Sequence, residues 1–215
     1  MMYNHHILHL QPEGSVLATL RQLVPKRPLD FEESRQIAEL QAIRLRELFQ
    51  ITGDEFPDEA IMEMPRITVA FDVDSPVSGS VHWSGDAWII VLNSSENYVR
   101  QRFSMAHEFK HILDHTTRQY LYSGSLCLSA AEQAEQAADY FAGCLLMPTM
   151  HLKRLFYQGV QTPVELGERF NVSPRAARFR LRQTGITENV QKCDNHYRDR
   201  GNVRYNRRVL AEANT

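Results

Sequence analysis

A chain of 215 residues with 43% hydrophobic side chains can build one domain with a real core, or one domain and a small appendage. Its net charge of -2 gives no general attraction to nucleic acid or to a membrane surface, and no apolar run approaches the ~20 residues of a membrane-spanning helix. Three cysteines, Cys127, Cys144 and Cys193, are odd in number and unpaired in spacing, which argues against a disulfide scaffold and for a reducing, cytoplasmic setting.

The opening Met1-Met2-Tyr3-Asn4-His5-His6 lacks the basic start, apolar core and cleavage site of a secretory signal, so none is expected. Residues 1–30 are broken by Pro12, Gly14, Pro25 and Pro28 and read as a partly ordered arm with a short helical piece near Val16–Val24. Asp30 or Ser34 opens a helix to about Gln50, with Ile37, Ala38, Ala42, Leu45, Leu48 and Phe49 on its apolar side. Gly53, Pro57 and Pro65 bracket a loop and a short helix from Asp58 to Met64. Strands are expected at Ile67–Phe71, Gly79–Trp83 and Ala87–Leu92, with Ser84-Gly85-Asp86 as a hairpin turn between the last two. Together they predict a three-stranded antiparallel sheet against helices. Ile89, Ile90, Val91, Leu92 and Asn93 are nominated as an edge strand that could bind an extended peptide by strand addition. His82 and Trp83 read as hairpin-stabilising residues.

A helix over Asn97–His115 carries His107-Glu108-Phe109-Lys110-His111. Histidines four apart leave one helix face a turn apart, so their imidazoles can grip one cation, with Glu108 directed at the same water. Arg100 and Arg102 are expected on the solvated side of this helix, and His115 as a helix-end or supporting histidine rather than a ligand. Thr116–Leu126 reads as a loop or lid. From Leu128 to Pro148 an alanine-rich helix follows, with Ser129 as N-cap, Glu132 completing a capping box and Pro148 as its stop. Glu135 and Asp139 share a face: Glu135 is the candidate third ligand, Asp139 the partner of a ligand histidine's second nitrogen, and Glu132 the fallback ligand. Two imidazoles and a carboxylate leave a coordination position open and suit Zn2+, with Mn2+ or Fe2+ also able to use them. In that chemistry Glu108 acts as general base and then general acid. An oxyanion donor is expected among Tyr120, Tyr122, Tyr140, His151 and Tyr157, and the sequence does not choose between them.

Beyond Pro148, Thr162–Phe170 reads as a short helix with proline at its first position. Ser173-Pro174 opens another, running to about Gln183 and closed by Gly185. Two short helices about a turn make a helix-turn-helix-like element over 159–187. Arg175, Arg178 and Arg182 are its candidate contacts to nucleic acid or to a partner. From Arg175 to Arg208 there are ten basic residues against three acidic ones. Direct DNA binding is thus possible but not favoured over a surface for an acidic partner or a solvated tail. Residues 188–215 read as a basic, flexible tail.

Two blocks, Arg102–His115 and Glu135–Pro148 with its closing Leu-Leu-Met-Pro, resemble the ImmA/IrrE family of metallopeptidases. The likeness extends to Ile37–Ala42, to Trp88–Asn93 and to Phe170–Ala177, covering roughly residues 33–186. It implies that His107, His111 and Glu135 hold the metal and that Glu108 is the catalytic acid/base. It also implies a partner, a helix-turn-helix (Xre-type) repressor that is cleaved or inactivated, derepressing stress, phage or mobile-element genes. Lys110 departs from the family's usual glycine and implies a long cation close to the site. Asp139 stands where asparagine is common and keeps an acceptor.

The expected fold is therefore α+β: a zincin-like peptidase domain over 31–158, with a small three-stranded antiparallel sheet packed on helices, between an arm at 1–30 and the helix-turn-helix-like element. The expected function is metal-dependent cleavage of a repressor. The alternative is a DNA-binding or binding-only anti-repressor, toxin-antitoxin-like, whose metal site is not catalytic. No membrane partner is expected, and oligomeric state is not legible.

Overall fold

The structure is a computed structural model and describes residue 12 and residues 14–186. The tail at 188–215, including Cys193, lies outside the described residues, as do residues 1–11.

Helix α1 (Val16–Arg21) is capped by the Ser15 side chain and buries Val16 and Leu20. Helix α2 (Phe31–Leu48) starts at Asp30, where Asp30 and Glu33 form a complete capping box. A single turn, α3 (Glu59–Met62), precedes the sheet. Strands β1 (Ile67–Asp72), β2 (Gly79–Trp83) and β3 (Trp88–Asn93) lie within a residue of their expected limits. Then come α4 (Tyr98–Asp114), capped by Asn97, the one-turn α5 (Arg118–Leu121), and α6 (Ala130–Leu146) with its Ser129/Glu132 capping box. Helix α7 (Thr149–Tyr157), α8 (Pro163–Phe170) and α9 (Pro174–Gln183) complete the described chain.

The sheet is mixed, not antiparallel. Its order is β1-β3-β2, with β3 parallel to β1 and antiparallel to β2. The link at 73–78 carries the chain across two strand spacings, about 10 Å, and the β2–β3 hairpin folds β3 into the gap. Composition explains why β3 takes the centre. Trp88-Ile89-Ile90-Val91-Leu92 is nearly unbroken apolar sequence, the pattern of a strand flanked on both sides rather than of an edge. Ile90 and Leu92 are buried, and Ile90 pairs across to both Val69 and Val81.

Helix α6 is packed between α2 and α4. Ala134, Ala137, Ala138 and Ala142 are buried, and their small side chains let the three helices approach closely. Phe109, Ile112 and Leu113 of α4 join Phe141 and Leu145 of α6 in the main core, and α4 also packs on β2 and β3. The sheet and α6 thus hold α4 from two directions.

Helices α8 and α9 form the expected pair about a turn. Asn171 caps α8 in the left-handed region, with φ 52°, and Val172 donates back to Gly167. Only glycine fits at 167, because a β-carbon there would sit 2.8 Å from the Val172 carbonyl oxygen. Two buried arginines fix this pair to the rest of the molecule. Arg102 of α4, expected on the solvated side, is 1% exposed. It pairs with Asp58 at 2.7 Å and donates to the carbonyls of Phe56, Phe170 and Asn171. Arg180 of α9 donates to the Met147 carbonyl and the Thr149 hydroxyl. Among the described residues no helix is long and apolar enough to cross a membrane.

Candidate metal centre

Three ligand atoms from two helices converge. His107 and His111 lie one turn apart on α4, with their Nε2 atoms 3.1 Å apart. Glu135 of α6 places Oε2 at 3.2 Å from His107 Nε2 and Oε1 at 3.4 Å from His111 Nε2. Zinc bound tetrahedrally at 2.0–2.1 Å would hold any two such donors about 3.3 Å apart, so the spacing fits one cation of that size. The donor chemistry fits as well: two neutral imidazoles and one carboxylate leave a position open.

Asp139, one turn after Glu135, accepts from His107 Nδ1 at 2.9 Å. Holding the proton on Nδ1 leaves the Nε2 lone pair free for a cation. Protonation of the two histidines diverges accordingly. Burial acts to lower the His107 pKa but is outweighed by the hydrogen bond and charge of Asp139 and by the charges of Glu108 and Glu135, so the net direction is upward. His111 is driven down, by burial first and then by the neighbouring His107. The fallback ligand Glu132 is spent instead on the Ser129 cap.

Glu108 sits between α4 and β2 with 8% of its surface exposed. Burial, followed by the charge of Glu135, raises its pKa, against the opposing influence of His107. Such a carboxylate is a stronger base than an exposed one, and it feels the charges of both His107 and Glu135.

Other expected residues lie elsewhere. Tyr122 gives its hydroxyl to Asp114 at 2.6 Å, Tyr140 to Glu39 at 3.0 Å, and His151 pairs through Nδ1 with Asp54 at 3.1 Å. Tyr157 is 87% exposed at the end of α7. Tyr120, on α5, is half-buried against the small cluster containing Leu121 and Ala134. His115 stacks edge-on against Trp88, with ring centres 4.9 Å apart, and is not among the converging atoms.

Two expectations need correction. Lys110 does not reach into the cleft: it is fully buried and pairs with Asp114, whose second oxygen accepts from Tyr122. Its burial pushes the ammonium pKa down. Nor do Ile89, Ile90, Val91, Leu92 and Asn93 form a free edge, since β3 is paired on both sides. The outer strand packed on α4 is β2. Two residues were missed. Arg118, on α5, adds a positive charge that, after burial and His107, pushes the His111 pKa down. Gly79, at the start of β2, lies against Glu108. A glycine at the start of a strand was the available signal for it.

Residues 65–182 match the family model described as the IrrE N-terminal-like domain, a peptidase family. The chain belongs to this family. The matched segment contains the sheet, every converging ligand and all but the last residue of the α8–α9 pair. No curated protein matches the chain. Among solved structures the fold is similar to that of a Mycobacterium tuberculosis transcriptional regulator, with a TM-score of 0.50 and 17% identity. The match covers 78% of this chain and 52% of that one, so the present chain spans about half the length of that protein. Membership in the IrrE-like family makes this a metallopeptidase-type chain, with a His-His-Glu cluster able to hold a metal ion.

Proposed function

We propose that this protein is a zinc-dependent endopeptidase of the reducing cytoplasm that cuts a helix-turn-helix repressor, relieving repression of stress, phage or mobile-element genes. The observation that carries the reading is the convergence of His107, His111 and Glu135 beside a buried Glu108, since a purely structural metal site has no need of that fourth group. When bound, the cation supplies a Lewis acid for the scissile carbonyl and a water of lowered pKa. Glu108 takes the proton of the attacking water, and its raised pKa lets it keep that proton until the leaving amine needs it. Asp139 holds the His107 ring in place throughout. Extended substrate adds to the outer edge of β2, the strand that packs on α4. Mn2+ or Fe2+ would serve the same donors.

The likeness to a transcriptional regulator agrees with a role in gene control, and the repressor is the substrate to test. Incubating this chain with a neighbouring-gene helix-turn-helix repressor and Zn2+, with and without chelator, should give metal-dependent cleavage. Glu108→Gln should retain metal and lose cleavage. Full relief of repression by that variant would favour a binding-only anti-repressor.

One observation favours a second reading. Arg175, Arg178 and Arg182 are exposed on α9 together with Phe179. If this face reads DNA, the isolated chain should shift operator DNA at ~0.15 M salt, with a slope set by its phosphate contacts.

A further inference from the structure

Gly79 opens β2, although glycine weakens strands and commonly marks a close approach. Its φ lies outside the left-handed region, so backbone conformation does not demand glycine there. Space does. A β-carbon at 79 would stand 3.1 Å from both Cγ and Oε1 of Glu108 and 3.2 Å from Cβ of Ser104. These are one wall of α4: Ser104 and Glu108 are four residues apart, both buried, with β2 laid across them.

The strand cannot drift away to make room. The Ser78 carbonyl accepts from Asn93 N at 3.1 Å, which ties it to β3. The Ser78 hydroxyl donates to Glu96 Oε1 at 2.7 Å and accepts from Arg100 Nη2 at 3.0 Å, which ties it to the start of α4. Ser78 is thus fastened to β3 and to the start of α4, and Gly79 after it has no side chain and meets the Glu108 carboxylate.

We infer that Ser78 and Gly79 form a fixed seat for Glu108, with Gly79 acting as a positioning residue that sets where the carboxylate stands relative to the three metal ligands. The seat works by contact with the methylene and Oε1 of Glu108. It lets Cγ and Oε1 of Glu108 lie against β2, a position that a β-carbon at 79 would crowd. The inference rests on Glu108 being the proton carrier proposed above.

The test uses the full chain loaded with Co2+ and probed with acetohydroxamate, a small chelator whose acidic proton needs an acceptor beside the metal. Binding is followed in the visible Co2+ spectrum, with no substrate required. Gly79→Ala should take up Co2+ as wild type does but bind acetohydroxamate about tenfold more weakly, since a shift of a few tenths of an ångström costs less than the ~100-fold of a full ångström. Glu108→Gln should weaken it similarly. Adding Ser104→Gly to Gly79→Ala opens the opposite wall and should recover part of the loss. Wild-type affinity in Gly79→Ala alongside a weakened Glu108→Gln overturns the seat and leaves the peptidase reading standing. Loss of Co2+ uptake in Gly79→Ala also overturns it, since the glycine would then serve folding or metal binding. If Glu108→Gln binds as tightly as wild type, Glu108 does not face the metal, and both readings fall.

Discussion

The two sides of α4 both carry charged groups, and they are treated in opposite ways. On the inner side Lys110 meets Asp114, Asp114 meets Tyr122, and Arg102 spends its donors on Asp58 and three carbonyls. Every one of these groups is matched. On the cleft side His107, His111 and Glu135 point acceptors at one another within 3.4 Å, and the Glu135 side chain is 63% exposed. Matched buried charges make a framework, whereas converging lone pairs need a cation to reconcile them. Charge alone does not mark the functional side; unmet coordination does.

The strongest way to break this contrast is Glu108→Gln. Cleavage of the proposed repressor substrate should fall about 10²- to 10⁴-fold while bound metal per chain, measured by elemental analysis, stays constant. Asp139→Ala comes next, expected to weaken zinc affinity about 10- to 100-fold by freeing the His107 ring; competition with a chromogenic chelator measures it. An unchanged affinity would mean that Asp139 is only a solvated helix residue.

Lys110→Met probes the inner side. It strands a buried Asp114 carboxylate and should cost about 3–5 kcal/mol in denaturant unfolding, with little change in kcat for the folded fraction. A fall in kcat without lost stability would contradict a framework role.

The smallest expected effect is a pH dependence. With its pKa raised, chiefly because Asp139 and the nearby carboxylates outweigh burial, His107 stabilises the metal-free fold at low pH. That contribution disappears as pH rises through the raised pKa. Metal must displace the same proton, so the gain in Tm on adding zinc should grow with rising pH over that window. A gain that shrank with pH would reverse the assignment.

Local signals carried most of the architecture. Asn97, Ser129 and Thr162 are caps readable within four residues, and the 107/111 and 135/139 spacings put ligands on helix faces without any tertiary knowledge. What escaped was non-local. Strand limits are local, but the insertion of β3 between β1 and β2 depends on how the 73–78 link spans the sheet. Arg102 looked solvated because its partners lie 44 to 69 residues away in the chain and include main-chain carbonyls. Helix α7 has no start signal separate from the stop of α6, because Pro148 serves both. That proline is the N-cap of α7, whose Leu152, Leu155 and Phe156 carry the helical period.

Arg102 has a practical consequence for anyone trimming this protein. A version ending before Thr162 would strip Arg102 Nη1 of the Phe170 and Asn171 carbonyls and uncover the apolar core surface that Leu166, Phe170 and Leu181 now cover. Such a fragment should express poorly or aggregate, so the smallest workable peptidase must keep the last two helices even if they never touch DNA.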